Sequence, residues 1–274
     1  MSGAGRVEAT SAPAKESAPA PSDAAKRPPL NYFEHSRSPL ASLAFVLPLV
    51  VLYEVGTRTQ EAVVLREAAP RHVIAFTLMQ QFFALFGATG QYLPALAIAG
   101  ILIAWHLARR DAWRVRLPAL GGIAIEGAVW CLPLLVIGVA LSYLMRDLPF
   151  AAGLSGATSL AASSAPPKDL LILCLGAGIY EELVFRLIVL TLLGIVLKDL
   201  LLFPPTLTAV VAVLLSALLF SAYHYLAPEP FRWRTFAFRT LAGVYFGVLF
   251  LLRGFGVTAA THAAYDILVL LVLP

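Results

Sequence analysis

The sequence predicts an all-α protein, a polytopic transmembrane helical bundle of about eight spans. Three observations lead there. Of the 274 residues, 59% are hydrophobic and only 13% are charged, against about half and about a quarter in an ordinary globular domain. Mean hydropathy is +0.82. The apolar residues also fall in long unbroken runs, not in the alternation of a membrane β-barrel. Together these exclude a typical soluble enzyme, a disordered regulator and a charge-rich nucleic-acid-binding domain, so no nucleic-acid partner is expected. The net charge of +4 is small, and in a membrane protein such an excess belongs to loops near anionic lipid.

Residues 1–30 are rich in Ala, Pro and Ser and carry no aromatic residue. Such a stretch cannot bury enough surface to offset its ordering entropy, so a disordered tail is expected. No apolar core follows the first basic residues, which argues against a secretory signal peptide. The first apolar segment, from Pro39, reads as an uncleaved anchor. Residues 31–274 are expected to form one membrane-embedded helical domain. Its spans fall at 39–55, 72–88, 91–108, 118–144, 170–197, 206–226, 236–252 and 256–273, each measured against the ~20 residues that cross a bilayer. Little beyond Gly90 and Gln91 parts the second from the third. The other breaks carry Gly, Pro or charge, as from Arg109 to Leu117, Pro228 to Arg234 and Arg253 to Gly256. The 147–167 connection is long and rich in small residues, a surface loop or a re-entrant segment. Positive charges on the two sides nearly tie, so charge does not set the orientation. Cys131 and Cys174 lie in apolar runs without metal or redox spacing and read as small buried apolar residues.

A charge at the centre of a membrane helix costs around 2.5–3.5 kcal/mol on insertion scales, so intramembrane ionisable residues are candidates for function. Three groups stand out. The first runs Tyr180-Glu181-Glu182-Leu183-Val184-Phe185-Arg186. Glu182 and Arg186 are spaced i,i+4 and can pair on one face. Glu181 lies about 100° round the helix, which leaves one carboxylate available as a general base. Helix glue alone would not need two acids for one base. The second group is Phe220-Ser221-Ala222-Tyr223-His224, near the end of the sixth span. Taken alone, His224 would read as a hydrogen-bonded interfacial histidine. The third is His262-Ala263-Ala264-Tyr265-Asp266, where His262 and Asp266 share a face. Ala259, Ala260, Ala263 and Ala264 around them permit close helix approach; the alternative reading is an interhelical polar clamp. Glu126 is expected to be structural, paired with Arg239 or facing the cavity. Glu54 reads as interfacial, and His72 and His106 as boundary residues.

Carboxylates and two histidines collected from three helices can activate water. Glu181 with His224 would hold and deprotonate it; His262 and Asp266 would donate to a developing oxyanion or orient its donors. The same set also resembles a metal site, in which Glu181, His224 and His262 would hold a divalent cation such as zinc and leave a position open for water. There is no HExxH helix, and the residues alone leave both readings open.

The three groups resemble the motifs of a known family. EELVFR at 181–186 matches EExxxR, FSAYH at 220–224 matches FxxxH, and HAAYD at 262–266 is similar to HxxxN. These belong, in this order and in successive membrane segments, to the CPBP (Abi) family of intramembrane proteases, which includes the type II CAAX prenyl endopeptidases. The resemblance covers roughly 170–274. It implies peptide-bond hydrolysis within the membrane by water activated between Glu181 and His224, with Glu182, Arg186 and Phe220 in support and His262 and Asp266 on the oxyanion side. Family members are described both as glutamate-type and as metalloproteases, so the resemblance leaves the metal open. One departure matters. Asp266 stands where the better-known eukaryotic members carry Asn. An amide donates a hydrogen bond and an ionised carboxylate does not, so Asp266 is either protonated or orients His262.

The expected partners are the lipid bilayer and a membrane-associated protein or peptide, cut near its C-terminus. The Ala-, Leu- and Arg-rich composition reads as bacterial, and the expected location is a bacterial inner membrane. Two other classes compete: a proton- or ion-coupled carrier, against which the lack of an internal repeat argues, and a non-catalytic immunity or scaffold protein of the same fold. Depth adds one expectation. Measured from the side of Lys198, Glu181 lies about 25 Å deep and His224 about 24 Å, but His262 is only about 9 Å from the start of its own span. Either the Arg253–Gly256 turn sits inside the membrane against a water-filled cavity, where irregular backbone is tolerated, or the span boundaries or helix tilts differ from this reading.

Overall fold

The computed structural model describes residues 31–64, 72–144, 166–226 and 229–273. The predicted tail at 1–30 and nearly all of the 147–167 connection lie outside the described residues. Among these residues every regular element is helical. A short helix α1 (Tyr32–Ser36) opens the fold, followed by α2 (Pro39–Val64), α3 (Ile74–Leu85), α4 (Leu93–Arg109) and α5 (Leu117–Leu144). A helical run α6 over 167–200 follows, then α7 (Pro205–Tyr223), α8 (Trp233–Arg253) and α9 (Phe255–Ile267), which ends in a π turn at Leu268–Val272.

The eight helical runs from α2 to α9 lie over the stretches read as spans in the sequence. Five of them are long and apolar enough to cross a membrane by themselves: the stretches Pro39–Thr59, Leu117–Leu141, Pro205–Leu226, Trp233–Arg253 and Phe255–Val272. Helices α3 and α4 are apolar but short. The outward faces carry large aliphatic residues such as Leu47, Val51, Leu132, Val136, Leu214 and Leu251. In water that surface would be a liability; against lipid it is the expected exterior of a multi-pass membrane protein.

Local sequence explains the ends of the elements. At α1, Asn31 accepts from the Glu34 amide at 2.8 Å while the Glu34 carboxylate accepts from the Asn31 amide at 3.2 Å, a reciprocal cap. Pro204 and Pro205 open α7, where the missing N–H would be unsatisfied anyway. Gly254, at φ +81°, lets the chain turn between α8 and α9 in one residue. That turn is buried, as are Arg253, Phe255 and Gly256 on either side of it.

Small residues set how closely the helices approach. A Cβ on Gly178 of α6 would lie 2.8 Å from the Ala259 carbonyl and from Ala263 of α9. A Cβ on Gly127 of α5 would lie 2.5 Å from Ala260, and one on Gly243 of α8 would lie 2.8 Å from Ala217 of α7. So α9 is packed between α5 and α6, and its residues from Phe255 to Ala263 are all buried. One apolar core joins Tyr53, Phe76, Tyr180 and Leu183 of α2, α3 and α6. A second joins Leu134, Phe238, Phe246 and Tyr265 of α5, α8 and α9.

The structure corrects the expected partner of Glu126. It binds Arg253, through contacts that include Nη2 to Oε2 at 2.8 Å, and accepts from the Tyr32 hydroxyl at 2.6 Å and the Trp130 indole at 3.1 Å. Arg239 pairs with Glu229 instead. The reason is length: Arg239 and Arg253 lie about 21 Å apart along α8 at 1.5 Å per residue, and Glu126 sits beside the Arg253 end. Among the other outlying residues, Glu54 accepts from the Tyr180 hydroxyl at 3.0 Å. His72 shares a 3.2 Å hydrogen bond with the Tyr53 hydroxyl and stacks on Phe76. His106 is buried edge-on to Trp113.

Candidate active site

The three motif groups converge. Helix α6 brings Glu181, Glu182 and Arg186, the end of α7 brings Phe220 and His224, and α9 brings His262 and Asp266. All seven side chains are buried. Helix α6 is not regular where it carries the motif: π segments run over Ala177–Glu181 and Leu183–Leu190. Such wide turns are uncommon and concentrate at functional sites.

Glu182 is the hub. Its Oε1 lies 3.0 Å from Nη1 of Arg186 one turn on, the i,i+4 pair expected from the sequence. The same oxygen lies 2.7 Å from Nδ1 of His262, a contact across 80 residues that no local pattern could announce. The Arg186 guanidinium is enclosed further. Its Nη2 donates to the Gly243 carbonyl at 3.4 Å, and its carbon stands 4.3 Å over the Phe220 ring and 5.2 Å over the Phe246 ring. Phe246 also stacks on His262, 4.6 Å between ring centres and 20° between planes. A buried guanidinium needs both charge and aromatic faces to replace its hydration, and this one has them.

Glu181 points the other way. Its Oε2 is buried and makes no protein hydrogen bond. It lies 3.8 Å from Nε2 of His224 and 3.9 Å from Nε2 of His262. The Tyr223 side chain interacts with the same carboxylate. The orientation of both rings is held from behind. Nδ1 of His224 donates to the Phe220 carbonyl at 2.8 Å, so in the neutral ring Nε2 is a lone pair aimed at Glu181. Nδ1 of His262 donates to Glu182, and its Nε2 lies between Glu181 and Oδ2 of Asp266, the latter 3.6 Å away. Asp266 Oδ2 is also buried without a hydrogen bond. His262 therefore has carboxylate oxygens facing both ring nitrogens, the setting for an imidazolium.

The pair Glu181 Oε2 and His224 Nε2 can take one water between them, with one O–H donated to each. A small cavity is lined by His224, His262, Asp266 and Arg239 and by aromatic residues including Phe220, Phe246 and Tyr265. Among the described residues, no group of three or more His, Cys, Asp or Glu side chains stands in an arrangement that would hold a metal ion.

The sequence singles out every member of the motif groups, and the structure gathers them into one site. Two further residues belong to it without a motif role of their own: Tyr223 touches Glu181 and Phe246 touches His262. Adjacency to His224 in FSAYH is the signal that could have pointed to Tyr223. Nothing in the sequence distinguishes Phe246 from the other phenylalanines of the spans. Arg239, expected to face Glu126, lines the cavity wall.

Fold and site together define a polytopic α-helical membrane protein with a buried glutamate–histidine centre. Residues 163–268 match the family model for type II CAAX prenyl endopeptidase Rce1-like proteins, and this part of the chain is an Rce1-like domain. At family level the domain is that of a CAAX-type intramembrane protease. The comparison with curated proteins and the comparison with solved structures each find no match.

Proposed function

We propose that the protein is an intramembrane endopeptidase that hydrolyses a peptide bond of a membrane-anchored protein or peptide with water activated by Glu181 and His224. The observation that carries this reading is the unbonded Glu181 Oε2 facing the Nε2 atoms of His224 and His262 at 3.8 and 3.9 Å. In the proposed step the water gives its proton to Glu181 as its oxygen bonds to the scissile carbonyl carbon. His262, as the imidazolium, donates from Nε2 to the oxyanion, while Glu182 holds its Nδ1–H and Asp266 flanks its other side. The C–N bond then breaks, and the proton on Glu181 passes to the leaving amine. Glu182 and Arg186 neutralise each other and fix His262, so they position rather than react. Asp266 accordingly needs no amide N–H: its task is to orient a donor. The composition supports a bacterial inner membrane as the location.

The test is cleavage by the purified full-length protein in detergent of quenched-fluorescent peptides that carry an acyl or prenyl anchor near the C-terminus. Wild type should cleave, Glu181→Gln and His224→Asn should not, and wild-type cleavage should survive a chelator. Cleavage indifferent to both substitutions would overturn the assignment. Loss on chelation with recovery on zinc would replace water activation by the side chains alone.

A further inference from the structure

Arg239 has no part in the chemistry above, yet it stands in the wall of the same cavity as His224, His262 and Asp266. It is 3% exposed. Its guanidinium fork lies on Glu229, Nη1 to Oε1 at 3.2 Å and Nη2 to Oε2 at 2.9 Å. Two parallel N–H···O bonds are the geometry by which arginine reads a carboxylate in particular. The Tyr225 ring lies 5.6 Å from its carbon and adds to the enclosure. Glu229 is placed differently. It comes from the link between α7 and α8, and its side chain is 23% accessible against 3% for Arg239. One partner of this pair is fixed in the cavity; the other has a path to water. A tie between α8 and the link could stand anywhere along α8, and burying a guanidinium is costly, so its position in the wall shared with His224, His262 and Asp266 calls for a ligand.

We propose that Arg239 is the carboxylate-reading residue of the substrate pocket, and that Glu229 holds in this structure the position a substrate carboxylate takes. The inference rests on the endopeptidase reading and deepens it. The substrate class is a peptide with a carboxylate, terminal or side-chain, close enough to the scissile bond to reach Arg239 while the carbonyl lies at Glu181. On binding, the substrate carboxylate takes the fork and Glu229 turns to water, so the buried cation is never left without an anion.

Three membrane-soluble probes without a scissile bond between residues test this: N-dodecanoyl-leucine, N-dodecanoyl-leucinamide and N-dodecanoyl-isoglutamine, whose carboxylate is on the side chain. Binding to the full-length protein is measured by thermophoresis in detergent. An acid should bind about tenfold or more tighter than the amide, the difference a charge-assisted fork provides. Arg239→Gln should bring that ratio to about one with amide binding unchanged, and Arg239→Lys should keep part of it. Glu229→Gln should tighten acid binding, because the resident anion is gone, and it tests the idea even if Arg239→Gln fails to fold. The stronger of the two acids assigns the terminal or the side-chain source. Equal binding of acid and amide to wild type, no binding of any probe, or a ratio unmoved by Glu229→Gln and Arg239→Lys overturns the proposal. Acid preference in a protein that cleaves no peptide would sink the endopeptidase reading and leave the subsite; cleavage with no acid preference would do the reverse.

Discussion

Glu181 and Glu182 are neighbours in sequence and opposites in environment. Glu182 is tied to Arg186 and His262, whereas Oε2 of Glu181 faces two imidazoles without a hydrogen bond. Their substitutions should therefore fail differently. Glu181→Gln should lower kcat by about 10²–10⁴-fold, the span of general-base effects, with the melting temperature held near that of wild type. Glu182→Gln strips the anion from two buried cationic partners and should cost about 3–5 kcal/mol of stability as well as activity. A thermal-unfolding scan beside an assay on the same preparations separates the two, and a Glu182→Gln protein with wild-type stability and activity would contradict the positioning role. The Glu182–Arg186 pair was legible because helical period puts i and i+4 side by side. The Glu182–His262 contact was not, since nothing in local period reaches across 80 residues.

At the scale of the element, the site depends on how deeply α9 sinks between α5 and α6. Backbone atoms, which cannot move aside as a side chain can, crowd Gly178 and Gly127. Gly178→Ala should destabilise by about 1–3 kcal/mol, the usual range for overpacking, and should lower activity by moving His262 away from Glu181. Gly194, on the same helical run, meets nothing within 4 Å. There the change to Ala should stabilise by about 0.5–1 kcal/mol through helix propensity alone. Melting temperatures of the two variants check this, and equal shifts would mean that close approach at Gly178 does not govern the packing. Sequence revealed the alanines of α9 as a close-packing face. It did not reveal the π segments of α6, because a wide turn has no composition of its own.

Across the whole molecule, α1 joins the two ends of the described chain. Arg253 donates to the Phe33 carbonyl and the Ser36 hydroxyl at 3.3 and 2.8 Å, while Tyr32 reaches Glu126. His35 adds a pH-dependent latch, for the Arg116 amide donates to its Nε2 at 3.1 Å. Burial, and then the Arg116 charge, hold the His35 ring below its usual pKa. Folding therefore favours the neutral ring. Its contribution is full above about pH 6.5, the ordinary histidine value, and fades as the pH falls below it. Deuterium uptake over residues 31–38, corrected for intrinsic exchange, should rise between pH 8 and pH 5. His35→Gln, which keeps an acceptor but does not titrate there, should flatten the change; an undiminished change would place the latch elsewhere.

The sequence by itself determined the class of protein, the order of the helical runs and the residues that gather at the candidate site. Each of these follows from local information: apolar runs of bilayer length, charges too costly to keep in lipid without use, and helical period within a motif. Tertiary structure decided which charges pair. Glu126 took Arg253 rather than Arg239, and Glu182 took His262 as well as Arg186. It also gave the two glutamates different surroundings and put Arg239 in the cavity wall. These outcomes depend on the depth at which one helix meets another, which is fixed by contacts between small residues far apart in the chain.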